Sequence, residues 1–127
     1  MERHVTLLGI LAGLWGGMAL VVGVSLMLLA AGALAEYLDP AGRGVELAAI
    51  VTAAAFALLA VLALAWGSAH VYMAALLKRR RPAGRVLGLA LAVVNLLVLP
   101  FGTALGVYAL WVLLTNDGRR LFEPARP

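Results

Sequence analysis

Two uninterrupted apolar stretches dominate the first two thirds of the chain. No charged side chain occurs from Val5 to Leu34 or from Leu47 to Leu77. Each stretch exceeds the ~20 residues that an α-helix needs to cross a hydrocarbon layer about 30 Å thick. The pattern predicts one membrane helix over about residues 5–36 and a second over about residues 45–77. Each helix would rise about 48 Å, so we expect it to tilt, bend or extend beyond the bilayer.

A third uncharged stretch, from Val86 to Asn116, admits two interpretations. As one helix it would rise about 46 Å, and the rival interpretation is such a helix kinked at Pro100. We favour a hairpin, with a third helix over about residues 82–99 and a fourth over about residues 103–121.

The hairpin interpretation assigns a role to each unusual residue of the stretch NLLVLPFGTALGVYALW. Pro82 would stand in the first turn of the third helix. Pro100 would end that helix, Gly102 would let the chain reverse, and Thr103 would cap the next helix.

Composition agrees with a membrane protein. Hydrophobic residues make up 65% of the 127 residues, against about 45–50% in soluble domains. An A-x-A-like sequence at residues 33–35 resembles a signal-peptide cleavage site, but the preceding apolar stretch is about twice a usual h-region, so we expect an uncleaved first span. The predicted fold is an all-α integral membrane domain over residues 1–127, with four transmembrane helices and a short helix 3–helix 4 hairpin.

Basic residues concentrate in one short loop. They are Lys78, Arg79, Arg80, Arg81 and Arg85. The loop EYLDPAGRG before the second helix contains Arg43 alone among basic residues, so the positive-inside rule places the basic loop and both termini, including the tail over 116–127, in the cytoplasm. We expect the basic residues to contact anionic lipid headgroups and not nucleic acid, because no interleaved aromatic or polar residues support a nucleic-acid site.

The predicted spans contain little that would support catalysis. The chain has no cysteine, and its carboxylates lie in the loops, at the N-terminus and in the tail. An intramembrane hydrolase or a proton-coupled transporter normally needs an ionisable or nucleophilic group within the membrane. We therefore expect no enzymatic activity and no cofactor.

Small residues recur at the four-residue spacing that lets membrane helices approach closely. The positions that we single out for helix packing are Gly9, Gly13, Gly17, Gly88 and Gly106. The repeat on the first helix predicts a close contact with another helix, in the same chain or in another copy.

Asn95 is the most polar uncharged side chain of the predicted spans. It lies about 15 Å beyond Arg85 along a helix, near the bilayer midplane, where an unsatisfied amide would cost several kcal/mol. One interpretation bonds it to a neighbouring helix or to carbonyls freed by Pro100. The other is a broken helix at which Asn95, Thr103 and Tyr108 bind a transported ion or solute.

Two histidines raise the possibility of haem or metal binding. His4 begins the first helix, and His70 lies two turns before the basic loop, which predicts a hydrogen-bonding role for His70 in the interfacial zone. His4 is shallow for a shared ligand site, so His70 alone remains as a ligand for haem or a pigment.

The sequences HVTLLGIL, LLKRRRPAGRVLGLALAVVNLL and PFGTALGVYALWVLL together resemble a set of small bacterial four-span membrane proteins. Those proteins end in an F-P-x-G-T-x-L-G-x-Y-x-L-W-V-L-L-like motif. Here residues 99–102 read L-P-F-G, and Ala83 and Gly84 replace a common Trp-Ala pair. The resemblance implies four helices and a hairpin at Pro100 and Gly102, and it points to no particular activity.

These observations favour a non-enzymatic protein of the bacterial inner membrane. We expect it to act through helix packing, as a homo-oligomer or as an accessory subunit of a larger membrane complex. The alternatives are the small transporter or channel built around Asn95, Thr103 and Tyr108, and a haem- or pigment-binding subunit that uses His70.

Overall fold

A computed structural model describes residues 1–39, 44 and 46–123 of the chain, and within these ranges it is all α-helical, without β-strands. The helices are α1 (Glu2–Leu38), α2 (Glu46–Lys78), α3 (Pro82–Asn95), α4 (Phe101–Leu114) and the short α5 (Asn116–Arg120). Pro40 and Arg43 of the predicted outer loop, and the end of the tail from residue 124, lie outside the described residues.

Helices α1 and α2 are long and apolar enough to span a membrane. Their most apolar windows have mean hydropathies of 2.4 and 2.7, and only 11% and 17% of those windows are buried. The core helix of a soluble protein buries most of its apolar surface, whereas these two helices expose theirs. Their bounds lie close to the predicted ones because the apolar stretches end at charged residues.

The chain divides into two compact units, and the boundaries fall within α1 and within α2. Unit 1 comprises Met1–Gly16 and Ala69–Pro127, and unit 2 comprises Gly17–Ser68. Unit 1 therefore contains the first turns of α1, the last turns of α2 and the α3–α4 hairpin. The polar contacts of the candidate functional site lie within this unit.

The basic loop is a tight helix ending. Arg80 has a left-handed backbone (φ 51°), the Arg80 amide donates to the Leu77 carbonyl and the Arg81 amide donates to the Leu76 carbonyl. This pair of hydrogen bonds ends α2 in a Schellman motif, with arginine where glycine is usual. Pro82 follows at the first position of α3, as predicted, where its missing N–H has no cost.

The α3–α4 connection differs in detail from the prediction. Helix α3 ends at Asn95, not at residue 99, because the amides of Leu97 and Val98 bond carbonyls three residues back and tighten the chain into turns. A cis Leu99–Pro100 peptide follows, and α4 begins at Phe101.

The predicted capping role of Thr103 is wrong. Pro100 occupies the N-cap position of α4 without a side-chain hydrogen bond, and the Thr103 hydroxyl donates to the Leu96 carbonyl at 3.0 Å. This bond satisfies the Leu96 carbonyl, which the end of α3 leaves without a helical partner. Thr103 therefore joins the start of α4 to the end of α3.

The predicted fourth helix is broken at Thr115, which has an extended backbone (ψ 142°). The Thr115 hydroxyl donates to the Trp111 carbonyl at 2.6 Å, and α5 begins at the next residue. Gly118 of α5 is buried against the backbone carbonyl of Val112, at a place where a Cβ atom would collide. The glycine therefore permits the chain to fold back on the end of α4.

Candidate functional site

A buried polar contact inside unit 1 joins α2 to α3. Asn95 Nδ2 lies 2.9 Å from His70 Nε2, with 2% of Asn95 and none of His70 exposed. An amide N–H donates, so in this arrangement the His70 ring carries its proton on Nδ1 and accepts through Nε2. We call these two residues the polar pair. The bond satisfies the expectation that Asn95 reaches a neighbouring helix.

One atom of the polar pair has no hydrogen-bond partner. Asn95 Oδ1 is buried and unbonded. Exchanging the amide oxygen and nitrogen would let Oδ1 accept a hydrogen bond from a protonated Nε2 of His70, and would leave the amide NH2 in the unbonded place instead. In either arrangement a buried amide of this kind retains one group that an additional donor or acceptor would stabilise.

Glycines bring backbone close to Asn95. A methyl group on Gly106 of α4 would lie 2.6 Å from the Ala92 carbonyl oxygen and 3.3 Å from Asn95 Cβ. A methyl group on Gly102 would lie 2.5 Å from Val98 Cβ and 3.0 Å from the Asn95 carbonyl oxygen. Only hydrogen at these positions allows α4 to approach α3 so closely, so the position of Asn95 depends on α4 as well as on α2.

The structure gives different partners to the three residues of the predicted transport site. Asn95 bonds His70, Thr103 donates to the Leu96 carbonyl, and the Tyr108 hydroxyl lies 3.1 Å from Nδ1 of His4. The ring of His4 also contacts Trp111 edge-on, with 5.3 Å between ring centroids. The shallow His4 therefore joins the first turn of α1 to α4.

The predicted packing glycines differ in what surrounds them. Gly9 and Gly13 face Ala74 of α2, with van der Waals separations of 3.6 and 3.7 Å for an added Cβ. A Cβ on Gly88 of α3 would lie 2.7 Å from Cδ1 of Leu113, the movable end of a side chain, whereas the atom that faces Gly106 belongs to the backbone. Gly17 has open space around its Cβ position.

The basic residues also differ from one another. Lys78, Arg79, Arg80 and Arg81 are exposed. Arg80 forms an ion pair with Glu2 at 2.6 Å, and this hydrogen bond, together with the charge of Arg80, lowers the pKa of Glu2 below its ordinary value. Arg85, predicted to contact headgroups, is partly buried and donates from Nε to the Leu113 carbonyl at 3.0 Å.

The pairing of His70 with Asn95 was not predicted from the sequence. His70 was expected in the interfacial zone, but the structure buries it completely against α3. A usable signal was present, because a polar side chain in an apolar helix needs a partner and few polar residues are available in the predicted spans. The sequence does not give the rotation of α2 about its axis, and that rotation decides whether His70 faces α3.

Among the described residues, no group of three or more His, Asp or Glu side chains is placed to hold a metal ion. No protein-family model matches the chain, and no curated protein or solved structure matches it either.

Proposed function

We propose that this chain is a non-enzymatic integral protein of the bacterial cytoplasmic membrane that acts by helix packing, as a homo-oligomer or as an accessory subunit of a larger membrane complex. Both termini and the basic loop are cytoplasmic in this proposal, and the exposed basic side chains face anionic headgroups. The proposed relationship to small bacterial four-span proteins agrees with it.

The observation that carries the proposal is the use made of glycines and polar side chains. A methyl group on Gly106 would collide with the backbone of α3, and a methyl group on Gly88 would displace the Leu113 side chain of α4. Thr103 and Arg85 donate hydrogen bonds to backbone carbonyls of other parts of the hairpin. Helices in a bilayer associate through close packing and interhelical hydrogen bonds. These features therefore suit helices that pack against one another in a membrane.

Association with a further helix is supported by α1. Gly17 continues the glycine repeat of this helix and has open space at its Cβ position, while neighbouring apolar residues such as Leu14, Met18 and Val21 are more than 60% exposed. In water such a surface would aggregate, and in a bilayer it faces lipid or another helix.

A matched pair of glycine substitutions tests this association. Gly17 and Gly32 both lie on α1 with nothing within 4 Å of an added Cβ, so a larger side chain begins in open space at both positions. We expect Gly17→Leu to abolish the oligomer, or the co-purifying subunit, measured by native mass spectrometry in mild detergent. Gly32→Leu should leave it intact. A monomeric wild-type protein without any bound subunit would contradict the proposal.

The proposal includes four complete membrane crossings. Two of them are difficult because α3 and α4 are short. Helices α3 and α4 have 14 residues each, a rise of about 21 Å. A full crossing therefore needs the apolar turn at residues 96–99 and local thinning of the bilayer. The hairpin keeps the tail in the cytoplasm in either case.

Cysteine labelling determines whether the hairpin crosses. The natural chain has no cysteine, so a single substitution gives an unambiguous signal. Leu97 is 82% exposed at the tip of the hairpin. We expect Leu97→Cys to react with an impermeant reagent from outside and Arg120→Cys to react only from the cytoplasm. If Leu97→Cys does not react from outside, the hairpin is re-entrant and does not cross the membrane. If Arg120→Cys is labelled from outside, the hairpin interpretation is wrong.

A second candidate function is favoured by one observation, the unbonded Oδ1 of Asn95 inside an apolar helix bundle. Such an atom is what a transported ion or solute would contact in a small transporter or channel. Asn95→Leu removes it. If this variant assembles normally but loses solute flux in liposomes, transport replaces helix packing as the function.

A further inference from the structure

A cleft opens in unit 1 between the first turns of α1 and the last turns of α2. Its volume is about 430 Å³, within the range of small-molecule sites. Its walls include Val5, Gly9 and Ile10 from α1 and Ala74 and Ala75 from α2. The interior of the cleft is therefore lined by small and aliphatic side chains.

The small residues explain why the cleft exists. A Cβ on Gly9 would lie 3.6 Å from the Ala74 carbonyl oxygen, so α1 and α2 are in contact there. Gly9 has no side chain and that of Ala74 is short, which leaves space beside the contact. Ala75 is exposed and also lines the cleft, so its short side chain leaves the mouth open.

One end of the cleft is basic. Lys78 and Arg80 line it, and both side chains are exposed. A second cleft of about 370 Å³ adjoins it, shares Thr6, Ile10 and Arg80 with the first, and adds Arg3 and Glu2. Glu2 pairs with Arg80 at 2.6 Å, which leaves Lys78 and Arg3 as an excess of positive charge.

The backbone holds the Arg80 side chain at this end. Arg80 occupies the left-handed position of the Schellman motif that ends α2, and its ion pair with Glu2 draws the guanidinium toward α1. An arginine retains further N–H donors after one hydrogen bond to a carboxylate, so the guanidinium is able to bind a phosphate as well.

We propose that this cleft binds an anionic phospholipid, with an acyl chain between α1 and α2 and the headgroup phosphate at Lys78 and Arg80. The proposal deepens the headgroup contact and rests on the membrane location proposed above. An apolar groove whose end carries net positive charge, even with Glu2 paired to Arg80, matches a ligand with an apolar chain and an anionic head. An uncharged lipid lacks the anionic head, and inorganic phosphate lacks the apolar chain.

The headgroup part is tested on the full chain in nanodiscs of phosphatidylcholine, alone and mixed with phosphatidylglycerol. Each basic residue contributes a factor of about five to anionic-lipid binding, so Lys78→Gln with Arg80→Gln should reduce retained phosphatidylglycerol about 25-fold. Arg119→Gln with Arg120→Gln removes equal charge from exposed residues that do not line the cleft. An equal loss in both double variants would overturn the site.

The acyl-chain part needs a variant that fills the cleft without altering charge. Ala75→Phe places a ring in it, whereas Ala90→Phe adds the same ring at an exposed position of α3 that does not line it. We expect native mass spectrometry to show loss of bound phosphatidylglycerol only for Ala75→Phe. If Ala75→Phe binds as the wild type does, or if inorganic phosphate displaces the lipid completely, the cleft is not an acyl-chain site.

Failure of this inference is distinguishable from failure of the membrane proposal. Wild-type protein that stays in carbonate-washed membranes, yet retains phosphatidylglycerol and phosphatidylcholine equally, overturns the lipid site alone. Wild-type protein released by carbonate overturns the membrane location itself.

Discussion

Units 1 and 2 contain the same kind of apolar helix and both have a close glycine contact, but in unit 1 a hydrogen bond between two buried side chains also joins neighbouring helices. In unit 1, Asn95 bonds His70 across helices and Gly106 brings α4 against the backbone of α3. In unit 2, the Ser25 hydroxyl donates to the Val21 carbonyl of its own helix, and an added Cβ on Gly23 would meet Leu64 at 2.7 Å.

The difference shows what an apolar sequence is able to specify. Lipid tails are as apolar as leucine, so exposed aliphatic residues do not choose between lipid and a neighbouring helix. A hydrogen bond between buried polar side chains, or a contact that admits only glycine, is satisfied in one arrangement. The polar pair and the contact at Gly106 therefore fix how α2, α3 and α4 pack in unit 1, and the contact of Gly23 with Leu64 fixes how α1 packs against α2 in unit 2.

The largest expected effect comes from filling a close contact in unit 1. Gly106→Val places methyl groups where a Cβ alone would lie 2.6 Å from the Ala92 carbonyl oxygen, so α3 and α4 must separate. Overpacking of this kind costs about 1–3 kcal/mol. Unfolding of the purified protein by denaturing detergent measures the free energy.

Gly32→Val is the matched control for this substitution, because nothing lies within 4 Å of the Cβ position of Gly32. We expect its free energy of unfolding to stay close to that of the wild type. Equal destabilisation by the two variants would show that the close contact at Gly106 is not the cause of the loss.

A smaller effect is expected from the polar pair. Interhelical hydrogen bonds in membrane proteins contribute about 0.6 kcal/mol on average and at most about 1.7 kcal/mol. A double-mutant cycle of Asn95→Leu and His70→Leu should give a coupling free energy in that range, because the bond at 2.9 Å is lost in either single variant. Additive single effects would show that the two side chains are independent.

The smallest effect is expected at the surface ion pair of Glu2 and Arg80. Its hydrogen bond lowers the pKa of Glu2 below the ordinary 4.5, so its stabilisation is present above that value and is lost as the pH falls through the lowered pKa. The thermal midpoint of the wild type should therefore fall relative to that of Glu2→Gln as the pH is lowered below about 4.5. High salt should shrink the difference. Parallel pH profiles of the two proteins would show that the ion pair contributes nothing.

Features encoded by adjacent residues were predicted well. Pro82 begins α3 because its ring suits the first turn of a helix, and the basic loop ends α2 at Lys78. The end of α3 was missed, since residues 96–99 are as apolar as the helix before them. The position of Thr103 after a turn predicts a cap for α4. In the structure its hydroxyl instead donates a hydrogen bond to the open carbonyl of Leu96.

The sequence by itself determined that the chain is all-helical, that α1 and α2 are long enough to span a bilayer, and where the basic charge lies, because these depend on composition and on runs of neighbouring residues. Only the tertiary structure decided that Asn95 meets His70, that His4 meets Tyr108 and that a cleft opens beside Gly9. Those contacts depend on how each helix is rotated about its axis and on its register with its neighbours. Residues that are distant in the chain set that rotation by fitting against one another, so no local pattern records it.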